Sequence, residues 1–195
     1  LCHFIKKSSK VDEIYCFPGN AGTQQIAKNI QIDLDNFEGL KKQINKNKID
    51  LIIVGPEKPL VDGIVDYLEN NKIKVFGPNK IAAQLEGSKI FTKKLCDKYN
   101  IPTAKFGIFN NLKNTLNFLK NSNYPIVIKA DGLASGKGVY ICENNAKEIL
   151  VEEFLDGEEM SYFIISDGFT YKKFQTAQDH KRVLEGDKGK NNGGM

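Results

Sequence analysis

Several features that mark familiar protein classes are missing from this sequence. Its four cysteines contain no C-x-x-C pair, so we predict reduced thiols of a cytoplasmic protein and neither a disulfide framework nor a zinc site. It has two histidines, and no second His or Cys lies at ligand spacing from His180, which argues against a metal site there. No apolar run is long enough to cross a membrane. The sequence does not indicate a catalytic nucleophile, because it contains no G-x-S-x-G motif and no Cys and His that can be argued to pair.

The charge of the chain is modest and evenly distributed. The net charge is +4, with Lys mixed among Asp and Glu along the whole length. A dedicated nucleic-acid binder usually clusters its basic residues on one face, and no basic stripe with interleaved aromatic residues is present. The composition therefore predicts no nucleic-acid partner, and it still allows small phosphorylated ligands. At 195 residues the chain has room for one large or two small domains.

The first part of the chain alternates strands with helices. Segments at 12–17, 50–54 and 74–76 are typical of strands, and Asp35 with Glu38 resembles a capping box before a helix. The run 50–54 is apolar after Asp50, which predicts burial on both faces of a sheet. This order predicts a doubly wound parallel sheet, in which ligands bind at loops that leave the carboxyl ends of strands. The loops in that position are 18–23, 55–60 and 77–80. Plain turn chemistry is the alternative for these turn-rich loops.

The second part of the chain changes to an α+β pattern. Segments at 105–109 and 125–130 are typical of strands, and 112–120 is typical of a helix. A glycine-rich loop at 131–138 then leads to a further strand at 139–142. The unit is therefore strand, loop, strand.

Asp-Gly pairs mark two turns in the last part of the chain. Asp156-Gly157 and Asp167-Gly168 each stand between alternating apolar segments, which predicts hairpins. One junction lacks a turn, because residues 145–150 begin a helix and a strand begins at Val151 with no turn residue between them. We therefore expect residues to be missing at this junction. The chain also begins without Met, which indicates a truncated N-terminus.

The glycine-rich loop carries the first chemical signal. Its glycines allow backbone N–H groups to approach an anion closely, and Lys129 and Lys137 add positive charge. A kinase-type P-loop is the obvious competitor, but the spacing is one residue short, Gly138 replaces the Ser or Thr, and a strand follows. The order of elements predicts a flap over phosphates, and the alternative is a mobile hairpin loop.

Two later segments allow both a functional and a structural interpretation. The stretch 151–159 could read an adenine edge through backbone groups, with a carboxylate on the ribose, or it could be an acidic surface hairpin. At 178–182 and 185–195, Lys181 and Arg182 could bind phosphate or carboxylate oxygens, or the segment could be a solvated loop. The chemistry favoured is phosphoryl transfer in which cations and loops do the positioning.

Eight segments, taken in order, resemble the glycinamide ribonucleotide synthetases (phosphoribosylamine–glycine ligases), a family of ATP-grasp enzymes. The glycine-rich flap is shared across ATP-grasp enzymes, whereas DHKR combined with GPE-x-PL and PGNAGT is far more specific. The segments cover nearly the whole chain. They are PGNAGT (18–23), DLIIVGPEKPLVDGIVD (50–66), FGP (76–78), AAQLEGSKIFTKKL (82–95), YNIPTA (99–104), PIVIKADGLASGKGV (125–139), VEEFLDGEEMS (151–161) and QDHKRVLEGDKGKNNGGM (178–195).

The resemblance implies an α/β domain with a doubly wound parallel sheet, the pre-ATP-grasp domain, followed by an α+β ATP-grasp domain, incomplete at both ends. The implied bounds are a Rossmann-like domain at 1–85, a linker helix at 86–102, a small ATP-grasp subdomain with the flap at 103–150, and the start of the large subdomain at 151–195. The family's N-terminal GGREH turn and its downstream metal-binding Glu and Asn segment are not in this chain.

The resemblance also assigns residues to sites. Those expected to bind ATP are Lys89, Lys129, Asp131, Gly132, Ser135, Gly136, Lys137, Gly138, Val139, Glu152, Glu153, Phe154, Leu155, Glu158 and Glu159. Those expected to bind the other substrates are Asn20, Ala21, Gly22, Thr23, Gly55, Pro56, Glu57, Pro59, Asp179, His180, Asp187, Asn191, Gly193 and Gly194. Lys181 and Arg182 are expected to be catalytic, and no metal ligand is expected in this chain.

In the family that the chain resembles, ATP phosphorylates the carboxylate of glycine, and the amine of 5-phosphoribosylamine attacks the glycyl phosphate. The implied cofactors are ATP with Mg²⁺ or Mn²⁺, the partners are small molecules, and a monomer is expected. A different ATP-grasp ligase or carboxylase is the alternative, because the flap alone does not exclude it. A non-enzymatic nucleotide-binding or nucleic-acid-binding module ranks last.

Overall fold

The structure is a computed structural model that describes residues 1–133, 148–180, 182–185 and 188–191. The chain divides into two compact units, Leu1–Gly87 and Ser88–Met195. Each unit has its own secondary structure and its own buried residues. The finer subdivision expected from the sequence, with a linker helix and two subdomains, stays a prediction.

The first unit contains short parallel strand pairs with helices between them. Strand β1 pairs with β2, with Tyr15 opposite Lys28, and β3 pairs with β4, with Ile52 opposite Val75. Both pairs are parallel, as the alternating pattern predicts. The elements are α1 (Cys2–Ile5), β1 (Tyr15–Cys16), α2 (Ala21–Gln24), β2 (Lys28–Asn29), α3 (Phe37–Lys46), β3 (Ile52–Ile53), α4 (Glu57–Asp62), α5 (Ile64–Asn70), β4 (Val75–Phe76) and α6 (Lys80–Gly87).

The core of the first unit lies between helices α3 and α5. Its fully buried members are Leu40, Ile44, Ile64, Val65 and Leu68. Burying an aliphatic side chain of this size contributes about 1.5–3 kcal/mol. Strand residues of β3 and β4 pack against this cluster, so the helices hold one face of the strands.

Two details of this unit differ from the sequence expectation. Helix α3 begins one residue later than expected, because Asn36 caps it by accepting the Gly39 N–H at 2.8 Å, while Asp35 pairs with Lys58 at 2.6 Å. The apolar run at 50–54 is not buried on both faces, since Leu51 is 54% and Ile53 is 40% exposed. Helices α3 and α5 cover the face that carries Ile52, and side chains alternate along a strand.

The second unit is built on antiparallel strands. Its elements are α7 (Lys89–Lys98), β5 (Phe106–Phe109), α8 (Leu112–Lys120), β6 (Ile126–Ala130), β7 (Ile149–Glu153), β8 (Met160–Ser161), β9 (Ile164–Ser166), β10 (Tyr171–Lys173), β11 (Ala177–Gln178), β12 (Arg182–Leu184) and β13 (Lys188–Asn191). Strand β7 lies between β5 and β6, with Val151 opposite both Gly107 and Ile128. Leu150 and Val151 are buried at the centre of this sheet.

One of the two predicted hairpins is confirmed and the other is wrong. Strands β9 and β10 pair around Asp167-Gly168, as predicted. Asp156-Gly157 does not close a hairpin, because both edges of β7 are taken by β5 and β6, and β8 pairs with β11. The helix predicted at 145–150 is wrong at its end, since Ile149 and Leu150 belong to β7. The predicted strand at 139–142 lies outside the described residues.

In the part of the chain that the structure describes, no helix has the length and apolar character needed to cross a membrane.

Candidate functional site

The candidate site begins at the start of the glycine-rich loop, where β6 ends. Asp131 accepts the Ser88 hydroxyl at 3.1 and 2.9 Å with its two carboxylate oxygens, and it accepts the Ile90 N–H at 3.1 Å. Ser88 in turn accepts the Phe91 N–H at 3.0 Å. Two side chains therefore satisfy two of the free N–H groups at the start of α7, those of Ile90 and Phe91. Asp131, expected to bind ATP, has a capping role in this structure.

Lys89 lies beside the same loop. Its ammonium donates to the Gly132 carbonyl at 2.7 Å. Gly132 has a φ of +100°, a conformation that favours glycine. The two residues expected to bind ATP at this point, Lys89 and Gly132, are thus in direct contact.

A buried carboxylate lies between two lysines on the sheet of the second unit. Glu152 is only 6% exposed, and its two oxygens form ion pairs with Lys93 and Lys129. The Lys93 distance is 2.8 Å. The strand register explains the Lys129 contact, because Glu152 lies opposite Val127, and Lys129 is two residues along on the same face. We call Lys93, Glu152 and Lys129 the lysine–glutamate triad.

The ionisation of the triad follows from its contacts. Burial raises the pKa of Glu152, but the hydrogen bonds from Lys129 and Lys93 lower it by more. The net result is a lowered pKa. Glu152 is therefore a carboxylate at neutral pH. Two cations face one anion, so one positive charge in the triad is uncompensated. The side chain of Lys93 is 12% exposed and that of Lys129 is 42% exposed, which places the accessible charge at Lys129.

Lys93 was not predicted from the sequence to belong to a site. It lies on α7, one helical turn after Lys89, and it also donates to the Thr103 hydroxyl at 2.6 Å. Its ammonium is 5.6 Å from the centre of the Phe106 ring. The i, i+4 spacing of Lys89 and Lys93 is the one signal that could have found it, because residues so spaced share a helical face.

All residues of the segment expected to line the adenine and the ribose, 151–159, are among those that the structure describes. Glu153 donates its N–H to the Lys105 carbonyl at 2.8 Å, and its carboxylate accepts the Lys105 N–H at 3.2 Å. Phe154 and Leu155 are 40% and 66% exposed. Glu158 and Glu159 are exposed as well, and their place on the ribose, like the adenine role, stays a prediction.

The segment 18–23 in the first unit, expected to be a loop, contains the start of helix α2 at Ala21 and is held by side-chain hydrogen bonds. Asn20 accepts the Thr23 N–H at 2.9 Å, and Thr23 accepts the Asn20 N–H at 2.8 Å, which is a reciprocal capping box. Asn29 joins both, donating to the Asn20 carbonyl at 2.8 Å and accepting the Thr23 hydroxyl at 2.9 Å. Ala21 and Gly22 are exposed between them.

The segment 55–60, expected to be a loop, is helical from Glu57, where α4 begins. Pro56 is the N-cap residue, Gly55 and Glu57 are exposed, and Pro59 is buried. Lys58 forms ion pairs with Asp35 at 2.6 Å and Asp62 at 2.7 Å, and these two carboxylates raise its pKa.

The loop that follows β4 approaches α4 closely. A methyl group added at Gly77 would lie 2.9 Å from Leu60, so only glycine fits there without a shift. The structure thus brings together two of the three loops expected to bind ligands, 55–60 and 77–80.

The remaining expected site residues lie near the end of the chain or in the glycine-rich loop. Arg182, on β12, lies opposite Asn191 of β13, so an expected catalytic residue and an expected substrate ligand are register partners. His180 is exposed and Asp179 half-buried. Those that fall outside the described residues are Ser135, Gly136, Lys137, Gly138, Val139, Lys181, Asp187, Gly193 and Gly194.

The arrangement of His, Cys, Asp and Glu side chains decides whether these residues could hold a metal ion. Within residues 1–133 and 148–180 and the short described stretches after them, no group of three or more His, Cys, Asp or Glu could hold a metal ion. The carboxylates of Asp131 and Glu152 have hydrogen-bond or ion-pair partners. These residues do not fit a metal site.

Comparison with known proteins covers both units. The family model for "Phosphoribosylglycinamide synthetase, N domain" matches residues 1–86. The model for "Phosphoribosylglycinamide synthetase, ATP-grasp (A) domain" matches residues 87–148 and 144–195. The two ATP-grasp stretches overlap at 144–148, near the junction where the sequence predicts missing residues.

The individual relatives are named phosphoribosylamine–glycine ligases. The phosphoribosylamine–glycine ligase of Caldanaerobacter subterraneus subsp. tengcongensis is 46% identical over 214 residues, covering 100% of this chain and 51% of that protein. That of Clostridium acetobutylicum is 44% identical over 210 residues, covering 98% of this chain and 50% of that protein. The crystal structure of phosphoribosylamine–glycine ligase from Thermotoga maritima has a TM-score of 0.73 at 30% identity, covering 95% of this chain and 49% of that one. The chain spans about half the length of these relatives.

Proposed function

The chain belongs to the phosphoribosylglycinamide synthetase family, as its sequence segments predict, and from this premise we propose that the protein uses ATP to join glycine to 5-phosphoribosylamine. The products are glycinamide ribonucleotide, ADP and phosphate. Because the chain spans about half the length of its relatives, the proposal concerns the intact protein. The fold class, a parallel α/β domain followed by an ATP-grasp domain, agrees with this reaction class.

One observation carries the proposal, and it is the lysine–glutamate triad at the base of the glycine-rich loop. Lys129, the penultimate residue of β6, is the more exposed cation of a triad with a net positive charge, and Lys89 contacts Gly132 where the loop begins. Cations held in place before the ligand arrives are what phosphoryl transfer requires, since positioning and charge stabilisation supply most of its catalysis. We propose that Lys129 and Lys89 hold the ATP phosphates.

The reaction proceeds in two steps in this proposal. The γ-phosphoryl group leaves ADP and forms a bond to a carboxylate oxygen of glycine, which gives glycyl phosphate. The amine nitrogen of 5-phosphoribosylamine then attacks the acyl carbon, phosphate leaves with the C–O electron pair, and the nitrogen loses a proton. Mg²⁺ or Mn²⁺, when bound with the nucleotide, supplies further neutralisation of phosphate charge.

The remaining residues have proposed roles in binding glycine, the transferring phosphoryl group and 5-phosphoribosylamine. Lys181 and Arg182 would hold glycine and the transferring phosphoryl group, because Arg can bind such oxygens in a bidentate manner. The loops 18–23 and 55–60 would hold 5-phosphoribosylamine. The capping box of Asn20 and Thr23 supports this role, since it fixes the loop and leaves Ala21 and Gly22 exposed. A monomer in the cytoplasm is part of the same proposal.

The test uses the intact gene-encoded protein, assayed for ADP release with glycine and 5-phosphoribosylamine. We expect Lys129→Met to lower the rate by about 100-fold or more, because one preorganised cation is lost from the phosphate site. Lys172→Met, on the exposed strand β10, is the matched control and should keep full activity. Activation by bicarbonate in place of glycine would overturn the proposal in favour of an ATP-grasp carboxylase.

A further inference from the structure

Lys93 is the member of the triad with no role in the proposed reaction. It is the more buried of the two lysines, and it reaches Glu152 from helix α7 while Lys129 reaches it from strand β6. Burying an ammonium is costly unless it is paired, and the Glu152 carboxylate is its ion-pair partner. A structure that needed only to fill this position could have used an apolar residue at lower cost.

The charges of the triad explain what Lys93 contributes. If Glu152 and Lys129 were alone, the carboxylate would cancel the charge of Lys129 and compete with any anion for its ammonium. With Lys93 on its other oxygen, Glu152 is already neutralised, so the exposed Lys129 keeps its attraction for a phosphate.

Geometry points the same way. Lys93 also donates to the Thr103 hydroxyl at 2.6 Å, so its ammonium is fixed from two sides. The carboxylate of Glu152 is in turn held in one orientation, and Lys129 is aimed by the second oxygen. Preorganised groups of this kind lose little freedom when a ligand binds.

We infer that Lys93 is a positioning residue for nucleotide binding, which neutralises Glu152 and thereby leaves the charge of Lys129 available to a polyphosphate. The inference rests on the proposed function, because it takes Lys129 as a phosphate contact. It adds a residue that touches no nucleotide and acts through Glu152.

The experiment measures binding of the magnesium complex of a non-hydrolysable ATP analogue to the intact protein by calorimetry. Lys93→Met keeps the aliphatic stem against Phe106 and removes the charge, and we expect the dissociation constant to rise about tenfold. Lys93→Arg keeps a cation that can donate to Glu152, and it should restore affinity to within about threefold of the wild type. Lys94→Met, an exposed neighbour on the same helix, is the matched control and should bind as the wild type does.

A double variant separates charge balance from packing. Lys93→Met with Glu152→Gln removes both buried charges and leaves Lys129 uncompensated again, so it should bind the analogue more tightly than Lys93→Met alone. A purely structural role predicts the opposite, with the double variant at least as weak as the single one and affinity following the melting temperature. This non-additivity is what a double-mutant cycle detects.

The binding results distinguish failure of the inference from failure of the proposed function. If the wild type does not bind the analogue, the proposed function fails and the inference fails with it. If the wild type binds and Lys93→Met binds equally well, the inference is overturned and the proposed function stands. Should Lys93→Met not fold, the double variant and Lys93→Arg still decide, because loss of binding in both of these folded proteins contradicts the inference.

Discussion

Asp131 accepts the hydroxyl of Ser88 with both oxygens of its carboxylate, at 3.1 and 2.9 Å, so the first residue of the glycine-rich loop completes the cap of helix α7. The loop and the helix that carries Lys89 and Lys93 are thereby joined at their starts. This carboxylate adds to the Lys89–Gly132 and Lys93–Glu152 contacts that hold both lysines beside the start of the loop.

The cap is open to a direct test. We expect Asp131→Asn to lower the free energy of unfolding by about 1 kcal/mol, because the substitution removes a negative charge from a helix N-terminus and keeps one acceptor oxygen. Urea unfolding followed by circular dichroism measures the difference. The control is Asp156→Asn, at an exposed position between β7 and β8, which should change stability by less than about 0.5 kcal/mol. Equal effects of the two substitutions would contradict the capping role.

The stability of the protein should depend on pH through Glu152. Its pKa is raised by burial but lowered more by Lys129 and Lys93, so the net shift is downward from the usual glutamate value. A lowered pKa in the folded state gives stability that is present above the unfolded-state pKa of about 4.3 and lost as the pH falls through the folded-state pKa. The wild type should therefore exceed Glu152→Gln in stability by about 3 kcal/mol or more at pH 7, with Lys93 left unpaired in the variant.

This difference should shrink as the medium is made acidic below about pH 4, since a protonated Glu152 resembles glutamine. Urea unfolding of both proteins across this range is the measurement. Glu153→Gln is the control, because Glu153 is exposed and accepts a backbone N–H from Lys105. A gap between wild type and Glu152→Gln that stays constant with pH would show that the carboxylate is not ionised in the folded protein.

The loop 18–23 contains a position that only glycine fits. Gly19 has a φ of +81°, and a methyl group there would lie 2.2 Å from the amide oxygen of Asn29. Asn29 is held by Asn20 and Thr23, so it has no free direction in which to move. We expect Gly19→Ala to cost about 2 kcal/mol, from backbone strain and loss of these hydrogen bonds.

Gly55→Ala is the matched control for that substitution. It lies in another segment expected to bind substrate, and a methyl group there meets no atom within 4 Å. Its effect on thermal unfolding should be small. Similar melting temperatures for the two alanine variants would show that the Asn29 contact does not constrain the loop.

The thiol of Cys16 should react slowly. Burial and a hydrogen bond with Cys2, at 3.4 Å between the sulfur atoms, raise the pKa of Cys16. The thiolate is the nucleophile, so alkylation by iodoacetamide at pH 7 should be slower in the folded protein than in urea, and it should speed up as the pH rises. Mass spectrometry of the peptide that contains Cys16 measures the rate. Equal rates in the folded and unfolded protein would contradict the shift.

Local chemistry in the sequence determined many of the elements. The helix predicted at 112–120 has those bounds in the structure, because Asn111 caps it by accepting the Asn114 N–H at 2.9 Å. Asn79 and Ser88 accept backbone N–H groups at the starts of α6 and α7, as residues of these types commonly do. The Asp167-Gly168 hairpin forms as well. In each case the deciding hydrogen bonds join residues within a few positions of one another, so the sequence contains them.

The family and its expected site residues were also available from the sequence, through eight segments in order. Their contacts were not. Nothing in the segment around Glu152 indicates that its side chain is buried between Lys93 and Lys129, or that Asp131 caps α7.

Only the tertiary structure decided those contacts, together with the strand pairing. Strand β7 lies between β5 and β6, and this leaves Asp156-Gly157 without a hairpin. Helices α3 and α5 cover one face of β3, and this leaves Leu51 and Ile53 exposed in a run of four consecutive apolar residues, 51–54. The physical reason is common to all of these cases. Pairing and burial depend on which distant segment arrives at an edge or a face, and local patterns of hydrogen bonding and hydrophobicity do not specify that partner.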